Sequence, residues 1–176
     1  MSEPPESPAP DSDEEARKVK AAKRAAWNRA FADNVPHNKA LGIVIDDVGD
    51  RWARFHLPYD RRLIGDPVTG VLHGGVITAL LDGCSGAAVF ASLPRMQPIA
   101  TLDLRIDYLG PAEAGRDVRA LATCYHLTRN VAFVRAVAYH DDESHPIATS
   151  AGTFMLGTRA GGGSGSKPAA KDGSTS

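Results

Sequence analysis

The sequence predicts an α+β fold, a strongly curved antiparallel sheet wrapped around one long central helix, with an extra N-terminal helix. Three observations predict it. Residues 74–91, GGVITALLDGCSGAAVFA, contain no proline and a single charge. That length favours a helix over a strand, and an apolar surface all round asks for burial on every side. Four later stretches alternate with period two, as half-buried strands do. The turns between them are short, which implies an antiparallel meander. One sheet does not easily enclose such a helix, so a second subunit is expected to seal the remainder.

Composition narrows the function classes. The chain has 176 residues, enough for one ordinary domain with tails. Lys+Arg is 20 and Asp+Glu is 21, a net charge of −1, which argues against a dedicated nucleic-acid binder. Aromatic residues are only 6%, so the core must be aliphatic and small. No apolar run is expected to span a membrane. The start, MSEPPESPAPDSD, lacks the basic and apolar regions of a signal peptide. Cys84 and Cys124 make no disulfide framework, and no C-x-x-C indicates zinc. The expectation is a cytoplasmic, metal-free domain that engages neither nucleic acid nor membrane.

Taken in order, residues 1–13 are acidic and Pro-rich and read as a disordered tail. Residues 14–35 read as a helix, with Glu14 and Glu15 early and Lys18, Lys20, Lys23 and Arg24 later, as the helix dipole prefers. Residues 41–58 give two short strands around a Gly49-Asp50 turn. A loop, 60–72, leads into the 74–91 helix. The strand stretches follow at 101–108, 117–127, 131–139 and 147–156. In the first of these, Leu102, Leu104, Ile106 and Tyr108 share one face. The domain proper covers 36–157. Residues 158–176 read as a disordered Gly/Ser-rich tail, in which GGGSGSK lacks the Gly-Lys-Ser/Thr step of a phosphate loop.

Two features carry chemistry. Asp82 is the one charge inside the apolar helix; a carboxylate there must be paired, protonated or functional. His73-Gly74-Gly75 opens the same helix, where glycine admits a ligand to the backbone and free N–H groups form a possible oxyanion site. It is otherwise a tight turn. Gly83-Cys84-Ser85-Gly86 is no nucleophile elbow, because its second glycine falls one position early and it lies within a helix. Cys84 reads as a small core residue. His140, Asp141, Asp142, Glu143 and His145 read as a solvated turn cluster rather than a metal site.

GVLHGGVITALLDGCSGAA at 70–88, TLDLRIDYLGPAEAG at 101–115 and PIATSAGTFMLG at 146–157 resemble the PaaI-like acyl-CoA thioesterases of the hotdog-fold superfamily. The likeness spans 36–157. It implies hydrolysis of an acyl-CoA thioester to a free acid and coenzyme A, without a cofactor. It places the thioester oxygen on the Gly74 N–H and makes Asp82 the general base or the nucleophile. Thr101 matches a Ser/Thr position that holds the attacking water, and His73 orients the loop. Gly75 joins the substrate site. Asp66 stands where the family often has Asn or Gln; an ionised Asp only accepts hydrogen bonds, and beside Asp82 it would raise that residue's pKa. Arg129 and Asn130 either meet coenzyme A phosphates or simply turn a hairpin. A non-catalytic acyl-CoA-binding protein on the same fold is the rival reading. Acyl specificity, aliphatic or aromatic, stays open.

Gly74 and Asp82 are eight residues apart on one helix, about 12 Å along its axis. Reacting groups must approach within about 3–3.5 Å. A homodimer with antiparallel helices resolves this by pairing Gly74 of one chain with Asp82 and Thr101 of the other. Gly83, Ser85 and Gly86 would permit the close approach. The resemblance extends this expectation to a homotetramer.

Overall fold

The structure, a computed structural model, describes residues 10–157, so 1–9 and 158–176 of the two expected tails lie outside the described residues. Helix α1 runs Pro10–Trp27, starting ahead of the expected Glu14. Proline suits a first helical turn, where its missing N–H has no partner to lose. The expected single helix over 14–35 is two elements, and a third helix follows it. After α1 the chain widens into a π turn, Asn28–Asp33, and then forms α2, Pro36–Leu41. Val35 breaks the helix because a residue before proline is pushed to extended geometry; its φ is −95° and ψ is 105°. Asn28 anchors this segment. Its amide donates to the Ile45 carbonyl and its oxygen accepts the Ile45 N–H, both at 2.8 Å, covering part of an outer strand.

The strands are β1 Val44–Gly49, β2 Trp52–Leu57, β3 Ile99–Tyr108, β4 Val118–Leu127, β5 Val131–Tyr139 and β6 Ala148–Leu156. Helix α3, Gly74–Ala91, lies between β2 and β3 and has the bounds that the apolar stretch predicts. All strand pairs are antiparallel, in the order β1-β2-β4-β5-β6-β3. The expected meander therefore holds only for β4-β5-β6. Strand β3 leaves its sequence neighbour and takes the far edge beside β6. The 109–117 connection is long enough for this crossing, whereas the 128–130 turn forces β4 and β5 together. His140 fastens the crossing. Its Nε2 accepts the Glu113 N–H at 3.2 Å, so its Nδ1 donates to the Asp117 carbonyl at 2.7 Å. His140 is thus a buried staple and not part of a solvated cluster.

The inner face of the sheet is largely alanine: Ala53, Ala120, Ala122, Ala132, Ala136 and Ala138 are buried. Small side chains let α3 settle onto the sheet, and Leu80, Leu81 and Cys84 fill the space between. By length and composition α3 does reach the range of a membrane-spanning helix, contrary to expectation, but half of it is buried against the sheet, as a core helix is. Burial is not complete on every side, however. The half-buried Thr78, Ala79, Asp82, Gly83 and Gly86, with the exposed Gly75, form a stripe that the chain's own sheet leaves open. Ser85 is not on that stripe; it is buried on the other side.

Candidate active site

Asp82 stands midway along the open stripe of α3. The Thr101 hydroxyl donates to its Oδ1 at 3.0 Å. Strict alternation along β3 would turn Thr101 away from the helix, on the face opposite Leu102 and Leu104. A β-bulge changes this. Thr101 lies opposite Phe154 and Asp103 opposite Thr153, which leaves Leu102 as the extra residue. Thr101 joins the helix side with Leu104, and Leu102 is left 51% exposed. The expected grouping of Leu102 with Leu104, Ile106 and Tyr108 is corrected accordingly.

The first turn of α3 is capped by the residue before it. His73 is its N-cap, and its Nδ1 accepts the Gly75 N–H at 2.9 Å. The Val76 N–H bonds the His73 carbonyl at 2.9 Å. The Gly74 N–H makes no hydrogen bond among the described residues, so it is free for a ligand oxygen. Gly75 is required by the cap, because a Cβ there would lie 2.9 Å from the His73 Nδ1. The Tyr108 hydroxyl donates to the Gly74 carbonyl at 2.8 Å and stands 2.9 Å from the Thr78 hydroxyl. Sequence reasoning missed Tyr108, which reads there only as the last apolar residue of an alternating strand.

A cavity of about 580 Å³ lies over the stripe. Gly75, Thr78, Asp82 and Gly86 supply its α3 wall, and Thr101 and Leu104 its β3 wall. Its third wall is Phe31 and Val35, from the end of the expected N-terminal helix, with His37 and Asn38 of α2. Asn38 is buried there, and its amide donates to the Phe31 carbonyl at 2.8 Å. A signal was present, since a buried asparagine needs a partner, but nothing local names that partner.

The remaining expected site residues lie elsewhere in the chain. Asp66 accepts the Val68 N–H at 2.9 Å and the Thr69 hydroxyl at 2.6 Å. Those bonds hold its carboxyl below the usual range. It is exposed and does not line the Asp82 cavity, so within one chain it exerts no close like-charge effect there. Arg129 and Asn130 form the β4–β5 tip, where the Thr128 hydroxyl accepts the Val131 N–H at 2.9 Å. They too lie outside that cavity. Cys84 is fully buried with its thiol on the Ala53 carbonyl, and burial pushes that thiol up, which keeps it an inert core residue. Asp141 pairs with Arg116, and Ser144 and His145 hold Asp142 down to about 2. Among the described residues no group of three or more His, Cys, Asp or Glu is placed to hold a metal.

Residues 69–147 match the family model described as the thioesterase superfamily. The medium/long-chain acyl-CoA thioesterase YigI of Escherichia coli is 30% identical over 141 residues, covering 72% of this chain and 89% of that protein. The chain belongs to the thioesterase superfamily. As a hotdog-type thioesterase it is a thioester hydrolase. A solved structure of a Pseudomonas aeruginosa protein is 42% identical, with a TM-score of 0.66 over 72% of this chain and 94% of that one. A thioesterase from Haemophilus influenzae is 27% identical, with a TM-score of 0.67 over 76% and 89%. The Escherichia coli PaaI structure, at 21% identity and a TM-score of 0.66 over 78% and 94%, shares the fold.

Proposed function

We propose that this thioesterase hydrolyses acyl-CoA thioesters with an aliphatic acyl group, in a homodimer whose two active sites are each built by both chains. The observation that carries this reading is the Asp82–Thr101 pair in a cavity whose other lining includes Phe31, Val35, Leu104 and Phe154. The likeness to a relative named for medium/long-chain acyl-CoA supports the substrate class. Thr101 and Asp82 hold a water. Asp82 takes one of its protons as the oxygen adds to the thioester carbon, and the carbonyl oxygen becomes an anion. The partner subunit's Gly74 donates its N–H to that oxygen. The C–S bond then breaks, and the coenzyme A thiolate recovers the proton. Direct attack by Asp82, giving an anhydride that water opens, uses the same groups. Every step draws only on side chains, backbone and water. Arg129, exposed at the β4–β5 tip, is kept as a contact for coenzyme A phosphates, with Asn130 beside it.

Three features support a second copy. Strand β3 ends the sheet, so one of its edges is unpaired among the described residues, as in a template for another strand. The open stripe of α3 is adjacent to it. Gly83 and Gly86 lie inside a helix, where each is about 1 kcal/mol less favourable than alanine. Their own chain does not need them: a Cβ would meet nothing closer than 3.6 Å at Gly83 and 3.9 Å at Gly86. A neighbouring helix or a substrate accounts for them. A pure binding protein, by contrast, gains nothing from a carboxylate in an apolar cavity.

The test is thiol release from a panel of acyl-CoAs by the purified protein. Thiol and acid should appear in equal amounts, with straight-chain substrates turned over faster than phenylacetyl-CoA. Tight acyl-CoA binding with no release above the buffer rate would favour the binding-protein reading instead.

A further inference from the structure

We propose that Phe31 sets the length of acyl chain that this enzyme accepts, by closing the cavity beyond Asp82 and separating it from a second apolar recess. The proposal rests on the acyl-CoA reading above. Phe31 lines the cavity that holds Asp82. On its other side it lines a recess of about 170 Å³ bounded by Ala26, Trp27, Ala30 and Met96. That recess has no charged wall. Ala26 and Ala30 lie one helical turn apart and leave a groove between them. Met96 is 68% exposed, and an unbranched thioether adapts to whatever lies against it.

The Phe31 ring is held firmly enough to act as a wall. It stacks on Trp27 with centroids 5.1 Å apart and meets the edge of Phe90 at 5.1 Å. Phe90 follows Asp82 by eight residues on α3, about 12 Å along the axis. An acyl chain whose thioester carbon sits at Asp82, and which runs along the stripe past Gly83 and Gly86, meets this wall. The π turn that carries Phe31 fits the role. Such turns are rare and recur at functional sites. Here the turn is pinned to β1 by the two Asn28 bonds. Removing the ring joins the cavity to the recess without touching Asp82, Thr101 or Gly74.

The experiment measures two chain-length profiles, from butyl to hexadecyl, for the wild type, Phe31→Ala and Phe31→Leu. One is kcat/KM for the acyl-CoA thioesters. The other is Kd for the matching alkyl-CoA thioethers, which bind but do not hydrolyse. Each further buried methylene strengthens binding about fourfold. The wild-type gain should stop at a limiting length. Phe31→Ala should move that limit to longer chains and raise the long-to-medium ratio about tenfold or more. Phe31→Leu should move it the same way by less, and it keeps more of the packing if the alanine variant folds poorly. Adding Ala30→Phe to Phe31→Ala refills the recess and should bring the limit back. An unchanged limit in both profiles, with Phe31→Leu folded, overturns the proposal. A shifted thioether limit with no thioester hydrolysed would instead support Phe31 as the length gate and overturn acyl-CoA as the substrate.

Discussion

Asp82→Asn should lower turnover about 100-fold or more while the melting temperature stays near that of the wild type. The substitution preserves shape. The Thr101 hydroxyl donates to the Asp82 Oδ1 at 3.0 Å, and an asparagine oxygen accepts the same bond. What it removes is a group able to take a proton from water or to attack the thioester itself. The measurement is steady-state thiol release by the purified variant beside its thermal melt. A folded variant with near-wild-type turnover would take Asp82 out of the chemistry.

Gly74→Pro should be comparably severe, lowering kcat about 100- to 1000-fold, because one oxyanion donor is lost. The fold can accept the change. Gly74 is the first residue of α3, where proline is at home, and His73 already has the extended geometry that a following proline demands, with φ −64° and ψ 133°. The residual strain is a Cβ placed 3.3 Å from the Tyr108 hydroxyl. Gly74→Ala makes the same contact but keeps the N–H, so it is the control. It should retain most of the activity, and equal loss in the two variants would point to crowding at Tyr108 rather than to the donor.

The elements were legible wherever a local pattern decides them. The 74–91 stretch is helical over its whole length, and alternation located β3 to β6 to within a few residues. What sequence could not carry was long-range choice. Nothing in TLDLRIDYLG says that β3 pairs with β6 rather than β4; that depends on where the 109–117 connection is fastened, and His140 does the fastening. The bulge at Leu102 is invisible for the same reason, since it exists only against the register of β6. It nevertheless decides whether Thr101 meets Asp82. The third wall of the cavity comes from Phe31, Val35, His37 and Asn38, which are distant in sequence from every motif residue. The resemblance assigns Asp66 to the site by its position before His73; within one chain its carboxyl is engaged by Val68 and Thr69 in its own turn.

The central claim is that each site takes Gly74 from one chain and Asp82 with Thr101 from the other. The most direct measurement is complementation between Asp82→Ala and Gly74→Pro, each inactive alone, unfolded and refolded together at equal amounts. Half the dimers should be mixed, and each mixed dimer holds one intact site of two, so about a quarter of wild-type activity should return. If both variants fold and native mass measurement shows mixed dimers, yet no activity returns, the site is not shared between chains.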